Sequence, residues 1–167
     1  MTIGFLGAAK ERKGFDLIPS ILSNLPSTLS YKAIVQKANY SWKLYSETLK
    51  KLQENPNVKL LSGSISLEVL LENISFCDVL ILPYDKDSYS INASGLLYHA
   101  CDFEIPVISF RGVGFSKEIE NYNLGFLIDS IEELKNFDWS FKNKKFGFSV
   151  YNELRQSRTI NLLFGNN

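Results

Sequence analysis

Two loops carry the residues best able to do chemistry. The first is GAAKERKG, residues 7–14, which gathers Gly7, Lys10, Arg12, Lys13 and Gly14. Cations neutralise an anion such as phosphate, and glycines let a backbone approach one closely. The second is YDKDSYSINASGLLYHA, residues 84–100, which offers Tyr84, Asp85, Ser88, Tyr89, Asn92, Ser94 and Gly95 before a helical pattern begins. Ser94 can donate from its hydroxyl, and the unpaired N–H groups of the next turn can grip an anion. Gly95 leaves room beside them. His99, the only histidine, falls about one turn into the same helix, where its ring can bond a ligand hydroxyl. Each feature also has an ordinary reading: a solvated basic turn, a capped helix start, a satisfied structural histidine.

Two further stretches add candidates. LLSGSI, residues 60–65, ends a strand at Gly63, and the backbone groups of Ser64 and Ile65 are free to pair with the edge of a planar ring. A turn between strand and helix needs a glycine in any case. SFRGVGFSKEIENYNLGFLID, residues 109–129, has a flexible turn at Gly112 and Gly114 with Glu118 early in the helix that follows. A carboxylate there favours the helix dipole whatever else it does. The first loop contains neither G-x-G-x-x-G nor GxxxxGK[ST], which argues against a dinucleotide fingerprint and a P-loop. His99 has no evident Ser or Cys nucleophile partner, so a hydrolase triad is unsupported. No catalytic residue or metal ligand is assigned.

The elements that must hold these loops alternate in type. Short β-rich runs fall at 2–7, 31–36, 58–63, 78–83, 106–110 and 125–129. Several are continuously apolar, as parallel strands covered on both faces should be. Between them, Trp42, Tyr45, Leu49 and Leu52 recur at helical spacing behind Ser41 as N-cap. Leu67, Leu70, Leu71 and Ile74 do the same behind Ser66. Asp16 is placed to cap LIPSILSNL, with Pro19 in the first turn. A short helix follows Phe115, and a longer one covers 148–164. The expected fold is therefore α/β, a doubly wound, mostly parallel six-stranded sheet with helices on both faces, Rossmann-like, in the order 3-2-1-4-5-6. Strands 1 and 4 then adjoin, and the two basic and polar loops flank the crevice at their C-terminal ends, where ligands bind such sheets.

The bulk numbers fit one domain spanning residues 1–167. Hydrophobic residues make up 45%, ordinary for a globular core. Lys plus Arg number 18, as do Asp plus Glu, so there is no electrostatic case for nucleic acid. The N-terminus lacks the basic and apolar regions of a signal peptide, and no apolar run approaches the ~20 residues needed to span a bilayer. Cys77 and Cys101 read as buried free thiols of a cytoplasmic protein.

Taken in order, FLGAAKERKGFDLI, VKLLSGSISLEVLLENISFCDVLILPY, SGLLYHACDFEIPVIS and GFSKEIENYNLGFLID resemble the C-terminal, donor-binding domain of retaining GT-B glycosyltransferases, of the group 1 or family 4 type. The likeness is collinear over about residues 3 to 129. It implies a site for a nucleotide-diphosphate sugar such as a UDP- or GDP-sugar. Lys13, in a Lys-Gly pair with Gly14, would contact the diphosphate beside Gly7 and Arg12. Ser94 and Gly95 would serve phosphate or sugar, with Tyr84 and Glu118 at the site's margin, and Gly63, Ser64 and Ile65 would lie near the base. Transfer in this family retains anomeric configuration, usually without a bound metal or other cofactor, by stabilising diphosphate charge electrostatically. The acceptor site belongs to an N-terminal domain that this sequence lacks, and peripheral membrane association would come through that domain. The family's Arg after the strand 1 glycine is Ala8 here, and its two spaced glutamates are Ile91 and His99. A degenerate, non-catalytic binding or assembly module is thus the alternative. A nucleotide-binding oxidoreductase is disfavoured by the missing glycine fingerprint.

Overall fold

A computed structural model describes residues 1–164 of the chain, with side chains through residue 159. Six strands form one sheet: β1 (Thr2–Phe5), β2 (Lys32–Gln36), β3 (Val58–Leu61), β4 (Val79–Leu82), β5 (Val107–Phe110) and β6 (Gly125–Ile128). Their order is β3-β2-β1-β4-β5-β6, and every pairing is parallel. The expected topology is the observed one. Among the described residues, six α-helices accompany the sheet: α1 (Ile18–Ser23), α2 (Tyr45–Glu54), α3 (Leu67–Ser75), α4 (Gly95–Asp102), α5 (Ser116–Asn121) and α6 (Phe148–Phe164).

The continuous apolar strands make sense once both faces are covered, because successive side chains point to opposite sides. Ile3, Phe5, Val79, Ile81 and Ile108 enter one core with α1, α2 and the C-terminal aromatics Trp139 and Phe141. Leu6, Leu80, Leu82 and Val107 enter the other with α3, α4, α5 and the start of α6. α6 is tied to α4 by polar bonds: Asn152 Nδ2 donates to the Cys101 carbonyl at 3.0 Å, and Arg155 donates to the Tyr98 carbonyl at 3.1 Å and to Asp102 at 2.8 Å. The helix that carries Gly95 and His99 is therefore held over its C-terminal half.

Local capping follows expectation at two of four places. Ser66 accepts from the Val69 N–H at 3.2 Å and Ser94 from the Leu97 N–H at 3.3 Å, each at the head of its helix. Ser41 caps nothing, because α2 starts at Tyr45. The residues before it are drawn into an aromatic cluster instead, with the Trp42 and Tyr45 rings 5.7 Å and 5.3 Å from Phe15. Asp16 does not cap α1 either. It lies inside a 3-10 turn (Phe15–Leu17), and its carboxylate accepts from Trp42 Nε1 at 2.8 Å and Thr48 Oγ1 at 3.1 Å. Two side-chain donors in a partly buried setting hold the carboxylate away from the helix start. Pro19 does fall in the first turn of α1.

Candidate functional site

The C-terminal ends of β1 and β4 support the two loops foreseen there, and the loops are fastened together. After β1 the chain makes a 3-10 turn (Glu11–Lys13), closed by Gly14 at φ +69°. A Cβ on Gly14 would run into the Pro83 carbonyl, so both the left-handed backbone and the close approach to the β4 exit need glycine. The Asp85 N–H donates to the Arg12 carbonyl at 3.0 Å, joining loop to loop. Within the second loop the Asp85 carboxylate accepts from the Ser88 N–H at 2.8 Å, and the Asp85 carbonyl from the Tyr89 N–H at 3.0 Å. The loop after β5 backs it, with the Gly114 N–H donating to the Tyr89 carbonyl at 2.6 Å.

This scaffold turns two cations onto two aromatic rings. Lys13 Nζ lies 5.6 Å from the centre of the Tyr84 ring, and the Arg12 guanidinium 5.5 Å from that of Tyr89. Among the described residues, no carboxylate lies within ion-pair distance of Lys10, Arg12 or Lys13. Burial, and then the like charges of Lys10 and Arg12, hold the Lys13 ammonium below the usual lysine range. Burial likewise pushes the Tyr84 phenol up to about 12, with Ser94 beside its hydroxyl. Tyr84 is thus a neutral wall, and Lys13 is a cation kept partly out of water without a counter-charge.

An open cavity of about 320 Å³ joins these groups, lined by Gly7, Lys13, Tyr84, Ser94, Gly95 and His99 together with Leu70, Tyr89, Ala93 and Leu96. Seven of the residues singled out from the sequence meet there. Gly95 and Leu96 open α4 with N–H groups that no backbone carbonyl takes. A Cβ on Gly95 would touch nothing within 4 Å, so the fold itself does not ask for glycine at that position. The buried Ser94 hydroxyl accepts the α4 cap bond and keeps its own O–H as a donor, beside the free backbone N–H groups of this corner. His99 stands on the cavity wall with its side chain about one-third exposed, and its Nδ1 is 3.9 Å from Asp102 Oδ2, too far for a hydrogen bond. No aspartate or glutamate lines the cavity.

The other candidates lie apart. Gly14 borders another cleft, of about 640 Å³, that shares Tyr84 with this cavity, and Arg12 lies over the Tyr89 ring that lines the cavity. Gly63, Ser64 and Ile65 form the turn after β3, ahead of the helix that contributes Leu70 to the wall. Glu118 is turned away, since its Oε2 accepts from the Tyr151 hydroxyl of α6 at 2.8 Å. Ile91, at one of the family's glutamate positions, is 91% exposed in the second loop. Gln36 was not anticipated: it is a buried amide at the end of β2 that donates to the Gly63 carbonyl at 2.9 Å. Its only sequence signal is a polar residue closing an apolar strand. Larger clefts exist elsewhere, of about 660 and 550 Å³; the second brings the start of α6 beside Lys142, Lys144 and Lys145, but Asp78 and Glu104 line it too, and Lys142 and Lys144 are ion-paired with Asp78 and Asp138. Among the described residues, no three His, Cys, Asp or Glu side chains are grouped to hold a metal ion, and no helix is long and apolar enough to cross a membrane.

No protein-family model and no curated protein matches the chain. Solved structures do. The C-terminal domain of LpcC, a group 1 family glycosyl transferase from Francisella tularensis, superposes with a TM-score of 0.67 at 16% identity, over 91% of this chain and 84% of that one. WaaG, a glycosyltransferase of lipopolysaccharide biosynthesis, gives 0.61 at 25% identity, over 81% of this chain and 36% of its own. HepE from Anabaena, solved with UDP-glucose, gives 0.63 at 17% identity, over 93% of this chain and 40% of its own. The chain thus spans less than half the length of WaaG and HepE, and most of the LpcC domain. By superposition, with its six-stranded parallel sheet, the chain has the fold of the C-terminal half of a GT-B glycosyltransferase.

Proposed function

We propose that the chain is the donor-binding domain of a glycosyltransferase and holds a nucleotide-diphosphate sugar in the crevice between β1 and β4. The observation that carries this reading is one juxtaposition. Lys13, a partly buried cation without a counter-charge, shares a cavity with the free N–H groups at the head of α4, over a glycine whose missing side chain the fold does not require. A diphosphate satisfies all three, because it supplies negative charge, accepts from backbone N–H and needs the space. In this reading Lys13 and Arg12 balance the diphosphate, the N–H groups of Gly95 and Leu96 fix it, His99 bonds a ribose hydroxyl, and the Gly63–Ile65 turn faces the base. Charge developing on the leaving diphosphate is stabilised by the same cations and helix end. Transfer proceeds with retention to a glycan or lipid-linked acceptor, which a partner N-terminal domain presents in the cytoplasm.

A second reading is favoured by the carboxylate-free lining and by the solvent-exposed Ile91. There, the domain binds a nucleotide or nucleotide sugar and serves as a binding or assembly module without transferring the sugar. Calorimetry with UDP-glucose and GDP-mannose tests what the two readings share, since saturable binding is expected and its absence overturns both. Donor hydrolysis by this domain joined to an N-terminal acceptor domain separates them: slow release of free sugar supports the enzyme, and tight binding with none supports the module.

A further inference from the structure

We propose that Gln36 is a positioning residue that sets nucleobase preference by holding the turn Gly63–Ile65 in one register. The inference rests on the donor-site reading above. Gln36 ends a strand whose preceding residues, Ala33, Ile34 and Val35, are apolar and buried, and it is itself only 4% exposed. A buried primary amide is costly unless its groups are hydrogen-bonded, so a glutamine at this place needs a reason. Its Nε2 donates to the Gly63 carbonyl at 2.9 Å, and because that partner can only accept, the orientation of the amide is fixed.

The same turn is confined from another direction. A Cβ on Gly63 would run into the Ala38 carbonyl and the Asn39 side chain, so the loop after β2 lies directly on it. With the Gly63 carbonyl drawn inward, Ser64 is exposed and Ile65 half-buried. Among the described hydrogen bonds outside the helices and sheet, none uses a backbone group of Ser64 or Ile65, so both residues remain open to the edge of a base. Gln36 also reaches the other side of the site. Its Oε1 has no hydrogen-bond partner although it is buried, and the residue lines a narrow void of about 20 Å³ that extends to Gly7, Lys13 and Tyr84. The one hydrogen bond its side chain makes is thus to the turn, while toward Gly7, Lys13 and Tyr84 it only lines the void.

The test compares ligands that differ only in the base. Gln36→Met keeps side-chain volume and removes the donor. Affinities for UDP, GDP and inorganic pyrophosphate are measured by calorimetry on wild type and variant. The expected result is a wild-type preference for one nucleoside diphosphate, a roughly tenfold loss for that ligand in Gln36→Met, a UDP-to-GDP ratio that narrows to within about threefold, and unchanged pyrophosphate affinity. A merely structural role would leave the ratio alone. An unchanged ratio, a parallel loss for pyrophosphate, or a wild type indifferent to the base overturns the proposal while the donor site stands. A wild type that binds none of the three ligands overturns the donor-site reading and this proposal with it. If Gln36→Met does not fold, Gln36→Asn, which keeps an amide but shortens its reach, takes its place with the same readouts.

Discussion

Replacing Lys13 by methionine should pull stability and binding in opposite directions. The substitution keeps an unbranched, lysine-like stem and removes the ammonium. In the free protein that ammonium is partly buried, is repelled by Lys10 and Arg12, and has no ion-pair partner among the described residues. Relieving such a functional strain commonly yields about 0.5–2 kcal/mol. Against it stands the lost cation–π contact over Tyr84 at 5.6 Å, about 0.5–1 kcal/mol. The net runs from a loss of about 0.5 kcal/mol to a gain of about 1.5 kcal/mol, a Tm between about 2 °C lower and about 6 °C higher. Binding of a diphosphate should weaken by about 1–3 kcal/mol, as for a lost charged hydrogen-bonding partner, which is roughly 5- to 150-fold in Kd. The pH dependence has a definite sign. A lysine depressed in the fold costs stability in full while both states are protonated. That cost fades as pH rises from its lowered folded value through the ordinary 10.5, so the variant's advantage fades with it. Thermal melts and calorimetry with UDP at two salt concentrations read both effects. A variant that melts several degrees lower and binds UDP as wild type does would make Lys13 a structural residue and refute the reasoning.

Other perturbations separate fold from site. Gly95→Ala should leave stability unchanged or raise it by about 0.5–1 kcal/mol, since the new Cβ meets open space and alanine favours a helix. The same change should weaken UDP binding at least several-fold, and a melt beside a titration checks both. Gly14→Ala should do the reverse, costing about 2 kcal/mol or more through its left-handed backbone and the Pro83 carbonyl, as a denaturant titration would read. Burial pushes both thiols, Cys77 and Cys101, from 9.0 up to about 12. The native state then holds protons that the unfolded chain has released, so stability is full below about pH 9 and falls as pH rises toward 12. Each thiol steepens the loss by up to about 1.4 kcal/mol per pH unit. Cys77→Ala with Cys101→Ala should flatten that alkaline limb in urea melts, and an equally steep limb would contradict the assignment.

Much of this architecture was legible from patterning because it is set by burial. Alternation of continuous apolar strands with helical stripes leaves little choice but a parallel sheet covered on both faces, and right-handed crossovers then dictate the strand order. Ser66 and Ser94 were readable as caps because each directly precedes a regular helical stripe. Asp16 and Ser41 misled because capping is a local preference, and here tertiary partners override it: Trp42 and Thr48 take the carboxylate of Asp16, and the Phe15 cluster delays the start of α2. Meeting of Lys13 with Gly95 and His99 followed from topology alone. Glu118's partner did not, since Tyr151 lies 33 residues away on a helix whose packing no short-range pattern reveals. Gln36 escaped for the same reason, its partner being 27 residues downstream.

The central claim is that a diphosphate sits between Lys13 and the head of α4. Amide and side-chain shift mapping by NMR during titration with UDP-glucose tests it directly. The expected result is saturable shifts at Gly7, Lys13, Gly95, Leu96 and His99, with the cleft bounded by Arg111 and Asp138 silent. Saturable shifts confined to that cleft, or none at millimolar ligand, would contradict it.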